Sequence, residues 1–202
     1  MEQQWRLRLV DDACPFGSGE VAADLARLHP AVEVARLRRN VGQHRAIVEG
    51  LLREPAADVW VCLDGDLQDP PEAVPELVRV LRSTAANGVF AGRRGRYEGP
   101  GRRWAGAAHR RVMAALSPLP ADAGAFFAMD GPLRDAVVTG VADHAAPSVV
   151  AAAGASGLRL ASVPVQRDPR AVGTSAWTTR QRVRQSVRTL AWTVRHRVPA
   201  VP

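Results

Sequence analysis

The stretch Trp60–Glu72, WVCLDGDLQDPPE, decides how the chain is read. The apolar run from Val59 to Leu63 is continuous rather than alternating, which marks a strand buried on both faces and therefore a central one. It ends in Asp64, Asp66, Asp69 and Glu72. Carboxylates this close at the end of a buried strand repel each other unless a cation lies between them or water surrounds them. Pro70 and Pro71 then open a helix over PPEAVPELVRVLRS, since a proline in the first turn forfeits no hydrogen bond.

The same alternation runs outward in both directions. WRLRLV (5–10) reads as a strand delivering Asp11 and Asp12 to its carboxyl end, and CPFGSG as a turn before a helix over 19–28. VEVARL (32–37) is a second strand, and NVGQHRAIVEGLLRE has helical spacing at Val41, Ala46, Ile47, Gly50 and Leu51. GVFAG is a fourth strand. Strand alternating with helix predicts an α/β fold, a mostly parallel sheet flanked by helices, with ligands outside the carboxyl ends of the strands. Farther on, 104–116 and 133–141 read as helices and LRLASVPVQ as a strand. A basic amphipathic helix from about Thr178 to Arg197 carries Val183, Val187, Leu190, Val194 and Val198 along one face. The expected organisation is one domain over 1–177, then this helix and a tail over 178–202.

At 202 residues and 47% hydrophobic content, the chain can bury a core of ordinary size. Its basic residues are all arginine, which removes every mechanism that needs a lysine, and the net charge of +7 favours anionic partners. The arginines cluster in 93–111 and again from Arg167 onward. No aromatic platform or reader motif accompanies them, so nucleic acid is not an expected partner. Cys14 and Cys62 are too few for a disulfide framework. No apolar stretch reaches membrane-spanning length and no signal-peptide core opens the chain, so a cytoplasmic location is expected. The final helix could hold the chain to the inner face of a membrane or dock on its own domain.

Three chemistries suit Asp64-Gly65-Asp66: a solvated turn, a phosphatase nucleophile of the haloacid dehalogenase type, and a divalent metal bridging a nucleotide diphosphate. The phosphatase needs a later lysine and a Thr or Val after the second aspartate. Leu67 stands there and lysine is absent, so that reading falls.

The ordered segments VDDACPFGSGE, RNVGQHRAIVEGL, LDGDLQDPPE and RAVGTSAW together resemble the family 2 glycosyltransferases of GT-A, Rossmann-like fold. The likeness is greatest to the branch of polyprenyl-phosphate mannosyl- and glucosyltransferases, and it spans roughly residues 8–177. The resemblance implies metal-dependent, inverting transfer of a sugar from a GDP-, UDP- or dTDP-sugar to a polyprenyl-phosphate-type acceptor. It implies Mg²⁺ or Mn²⁺ held by Asp64, Asp66 and Gln68, with Asp66 central to catalysis. It places Asp11, Asp12, Asn40, Asp64, Arg170 and Ser175 at the donor, and Arg93 and Arg103 at the acceptor phosphate. An acceptor phosphate is already ionised and needs no general base, whereas a hydroxyl acceptor would need one, for which Asp122 is the candidate.

The chain departs from the family pattern at its start. Relatives open with a strand carrying Pro-x-(Tyr/Phe)-Asn-Glu, where this sequence has MEQQWRLRL. Without that central strand two sheet edges are expected to be exposed, a surface for self-association. The alternative reading is a non-catalytic relative or partner subunit that keeps the metal motif. Asp12 is followed by Ala13-Cys14 rather than Gly-Ser, and Ala176 follows the Gly-x-Ser where a basic residue is common.

Overall fold

The structure, a computed structural model, describes residues 4–94, 116–167 and 179–196. The chain forms two compact units, Met1–Ala56 and Ala57–Pro202.

In the first unit β1 (Leu7–Asp11), α1 (Ser18–Leu28), β2 (Val32–Arg36) and α2 (Gln43–Leu52) follow one another. The two strands pair in parallel, Leu7 opposite Val32 and Asp11 opposite Arg36. This register sets Arg8 opposite Glu33, and their side chains meet at 2.6 Å. It also brings Arg36 to the carboxyl end of β1, with Nε 3.9 Å from Asp11 Oδ2 and Nη2 2.5 Å from Glu20 Oε1. Helix α1 starts directly against Asp11. A Cβ at Gly19 would lie 2.4 Å from Asp11 Oδ2, so any larger residue there would push the Asp11 carboxylate and the Arg36 guanidinium aside.

The second unit contains β3 (Trp60–Cys62), a 3₁₀ turn Pro71–Ala73 continuing into α3 (Val74–Ser83), and β4 (Gly88–Arg94). After these come β5 (Phe127–Met129), α4 (Gly131–Ala142), α5 (Val149–Gly154), β6 (Leu160–Gln166) and α6 (Thr179–Arg195). The sheet order is β3-β5-β4-β6, so β3 lies at one end of this sheet among the described strands rather than at its centre. Strand β5 runs antiparallel to both neighbours, while β4 and β6 are parallel. The sheet is therefore mixed, through one short strand that the sequence pattern does not reveal. Phe127, Ala128 and Met129 are all fully buried, so β5 shows no alternation.

Both faces of this sheet are covered. On one, Leu77 and Leu81 of α3 pack against Val89, Ala91, Phe126 and Ala128. The opposite face stacks Phe90 on Phe127, centroids 4.8 Å apart. There Leu133 of α4 fills the space over Gly88, where a Cβ would lie 2.3 Å from it. Helix α4 is capped by Asp130, which accepts the Leu133 N–H and also the Asn87 side-chain amide. Helix α5 is capped by Ser148, which accepts the Ala151 N–H.

Helix α6 meets its own unit through polar side chains. Gln185 Nε2 donates to the Pro147 carbonyl at 2.6 Å and Trp192 Nε1 to the His144 carbonyl at 2.8 Å. Thr189 and Thr193 are buried, whereas Val183, Val187 and Val194 are 58%, 61% and 56% exposed. These valines, which the sequence left open between a membrane surface and the domain, thus point outward. No helix among the described residues is long and apolar enough to cross a membrane.

Candidate active site

The topology of the second unit collects chemistry at one sheet edge. Strands β3, β4 and β6 all run the same way, because β3 and β4 are each antiparallel to β5 and β4 is parallel to β6. Their carboxyl ends, and the segment leading into β5, therefore share an edge. Asp64 and Asp66 follow β3, Arg93 is the penultimate residue of β4 opposite Val165, Asp122 precedes β5, and Arg167 follows β6.

The acidic turn closes around Arg167. This side chain comes within 3.7 Å of Asp64 Oδ2, 3.9 Å of Asp66 Oδ1 and 2.9 Å of Asp69 Oδ1. Arg167 and Asp69 are buried, at 9% and 5% exposure, so these charges are shielded far less by solvent than a surface pair. Asp66 Oδ1 also accepts the Gln68 N–H at 3.1 Å, which folds the turn back on itself. Leu67 between them sits at φ +59°, a left-handed conformation that costs a branched residue about 1–2 kcal/mol. Neither Asp69 nor Arg167 belongs to the site as read from sequence. The signal for Arg167 is its place immediately after a strand, at the sheet edge where ligands gather.

Asp122 lies over β4. A Cβ at Gly92 would stand 2.4 Å from Asp122 Oδ2, so the carboxylate occupies the space that the glycine leaves. Cys62 ends β3 just before the acidic turn. Burial, with the Asp64 charge adding to it, pushes its thiol up to about 12, which keeps it protonated and unreactive.

In the first unit Asp12 clasps the turn before α2. Its carboxylate accepts the Val41 N–H at 2.7 Å and the Gly42 N–H at 2.8 Å, and Asn40 Nδ2 donates to the Asp12 carbonyl. Gly42 is at φ +88°, a conformation that requires glycine. Asp11 Oδ1 accepts the Cys14 N–H at 3.1 Å. The half-buried Cys14 thiol is lowered from its ordinary value, chiefly by the Ser18 hydroxyl that donates to it at 3.2 Å. The structure thus brings Asp11, Asp12 and Asn40 together in one unit and Asp64, Asp66 and Asp122 to one sheet edge in the other. Arg103, Arg170 and Ser175 lie outside the described residues, and for Arg93 only the strand position is described.

The donor set suits a divalent cation. Asp64 and Asp66 supply hard oxygens turned toward one shared positive group. Among the described residues no cluster of three or more His, Cys, Asp or Glu forms a complete metal cage. Magnesium-type sites are commonly built this way, with one or two carboxylates and the remaining positions filled by water and substrate phosphate.

Comparison with known proteins gives this edge its context. The family model described as Glycosyl transferase family 2 matches residues 1–132. The undecaprenyl-phosphate 4-deoxy-4-formamido-L-arabinose transferase of Proteus mirabilis is 39% identical over 79 residues, which is 39% of this chain and 24% of that protein. The dolichol-phosphate mannosyltransferase of Pyrococcus furiosus is 34% identical over 79 residues, or 39% of this chain and 22% of that protein. These matches span about a quarter of the length of the curated relatives. Among solved structures, the mannosyltransferase PcManGT of Pyrobaculum calidifontis, in complex with GDP-Man and Mn²⁺, superposes with a TM-score of 0.67 at 19% identity. That superposition covers 98% of this chain and 56% of the other. Glucosyl-3-phosphoglycerate synthase of Mycobacterium tuberculosis, in complex with Mn²⁺ and UDP-glucose, gives a TM-score of 0.60 at 17% identity, covering 93% and 66%. The fold is that of the GT-A transferases. The chain belongs to glycosyl transferase family 2.

Proposed function

We propose that this chain transfers a sugar, with inversion, from a nucleotide-sugar donor to a polyprenyl-phosphate-type acceptor. The observation that carries the reading is the convergence of Asp64 and Asp66 on one cationic point at the carboxyl edge of the sheet. The curated relatives are named as undecaprenyl-phosphate and dolichol-phosphate sugar transferases, and the structural neighbours were solved with Mn²⁺ and nucleotide sugars. Both facts support the same reading.

In this mechanism Asp64 and Asp66, with Gln68, would hold Mg²⁺ or Mn²⁺. Once bound, the ion would offset charge gathering on the departing nucleoside diphosphate. Asp11, Asp12 and Asn40 serve the nucleotide, with Asp12 acting through the turn it clasps. Arg170 and Ser175 cover the donor phosphates. Arg93 and Arg103 grip the acceptor phosphate and aim its oxygen at the anomeric carbon. Such an acceptor is already ionised, so no proton need be moved and Asp122 is dispensable for chemistry. Helix α6, with exposed Arg180, Arg184, Arg188 and Arg195 beside its outward valines, would bring the site to an anionic membrane surface.

Calorimetric titration of UDP, GDP and dTDP, with Mn²⁺ and without, tests the donor site. Metal-dependent binding of one nucleotide, abolished in Asp66→Ala, is expected. If a folded sample binds none of them, the chain is a non-catalytic relative.

A further inference from the structure

We infer that Arg167 is a resident cation of the acidic turn, and that a divalent metal loads between Asp64 and Asp66 only by displacing it. The inference rests on the reading of Asp64 and Asp66 as the metal-binding pair. It adds a competitor built into the chain.

The geometry carries the argument. Arg167 Nη2 lies 3.7 Å from Asp64 Oδ2 and 3.9 Å from Asp66 Oδ1, so one guanidinium nitrogen faces both carboxylates. A metal bridging the same two oxygens would need much shorter approaches, about 2.0–2.6 Å to each oxygen. A guanidinium left in place would then be pressed against a like charge. The side chain is anchored from its other edge, with Nε 2.9 Å from Asp69 Oδ1, and both residues are buried. The turn can therefore fold with its charge compensated before any metal arrives, and metal affinity is reduced by the work of moving Arg167 aside. Asp69, held by Nε rather than by the shared nitrogen, gives the guanidinium a third carboxylate on which to pivot. Asp69 is a positioning residue in this scheme.

Manganese binding without nucleotide measures the competition. Free Mn²⁺ is followed by its electron paramagnetic resonance signal while wild type, Arg167→Gln, Arg167→Lys and Asp66→Asn/Arg167→Gln are titrated. Arg167→Gln is expected to bind Mn²⁺ about tenfold more tightly than wild type, as removal of a cation within 4 Å of the carboxylates demands. Arg167→Lys, which keeps the charge, should stay near wild type, and the Asp66→Asn double variant should lose the gain. Mn²⁺ should also raise the melting temperature of Arg167→Gln more than that of wild type. Loss of Arg167 leaves Asp69 buried without this counter-charge. If Arg167→Gln does not fold, Asp69→Asn/Arg167→Gln removes both charges and serves for the same titration. Equal or weaker Mn²⁺ binding in the folded arginine-free variant overturns the inference. This result is distinguishable from failure of the proposed function: a chain that binds no nucleotide can still show the competition, and one that binds nucleotide can lack it.

Discussion

Asp12 Oδ2 accepts the Gly42 N–H at 2.8 Å across 30 positions of sequence, while its Oδ1 accepts the neighbouring Val41 N–H. One carboxylate therefore holds the end of β1 to the start of α2. Asp12→Asn keeps a single acceptor oxygen and turns an amide N–H against one of the two backbone N–H groups. A loss of about 1–3 kcal/mol is expected, the scale of leaving a buried polar group unsatisfied. Urea denaturation measures it. A loss of nucleotide affinity in this variant counts as a direct donor contact only if stability is unchanged.

Asp122 and Gly92 form a second coupled pair. Gly92→Ala would place a methyl carbon 2.4 Å from Asp122 Oδ2, so the carboxylate or the strand must shift. Overpacking of this kind costs about 1–3 kcal/mol. In an Asp122→Ala background the added methyl should cost almost nothing, and a double-mutant cycle reads the difference. Additive effects would mean that the two residues do not meet. With a lipid-phosphate acceptor, Asp122→Ala should retain turnover, whereas a hydroxyl acceptor would make the same variant inactive.

These pairs mark the limit of what sequence discloses. Strands β1 to β4 and β6 were legible because each ends in a punctuated turn and most carry alternating or continuous apolar runs. Asp64 and Asp66 stood out in the sequence as an Asp-x-Asp at a strand end, a pattern that by itself left a solvated turn open and took its metal reading from the company of the other three segments. Strand β5 was not, since three fully buried residues with no alternation carry no periodic signal. Helix α6 was legible as a helix but not in its orientation: its valines suited a membrane surface or the domain equally, and hydrogen bonds from Gln185 and Trp192 turn the other face to the domain. Arg167 and Asp69 lie nearly a hundred positions apart in sequence, and they meet at one edge because β3 and β4 both pair antiparallel with β5 while β4 pairs parallel with β6.

Cys62 gives the fold an alkaline weakness. Its thiol ionises near 9 when unfolded and is pushed up to about 12 by burial and by Asp64. A raised value in the folded state means that the contribution to stability is complete below pH 9 and is lost as pH rises toward 12. Stability should fall steadily through that window, because the unfolded thiol ionises while the folded one stays protonated. Urea unfolding at pH 8, 9, 10 and 11 measures the slope, and Cys62→Ala should flatten it. A slope unchanged in the variant would assign the effect to other groups.

The outward face of α6 separates folding from surface attachment. Val183, Val187 and Val194 are more than half exposed, so replacing all three with serine removes little buried area and should change stability by under about 0.5 kcal/mol each. The same variant should lose binding to vesicles containing anionic lipid, because the apolar contact between the arginines is gone. Wild-type binding should weaken as salt is raised, since the attraction of arginine to anionic headgroups is screened. The buried side responds in the opposite sense. Thr193 is 3% exposed and its hydroxyl has no hydrogen-bond partner among the described residues, so Thr193→Val exchanges an unsatisfied polar atom for a methyl of similar size. It should leave stability unchanged or raise it, with vesicle binding intact. If the serine variant unfolds while Thr193→Val loses the vesicles, the helix docks through its valines, and the orientation described here is wrong.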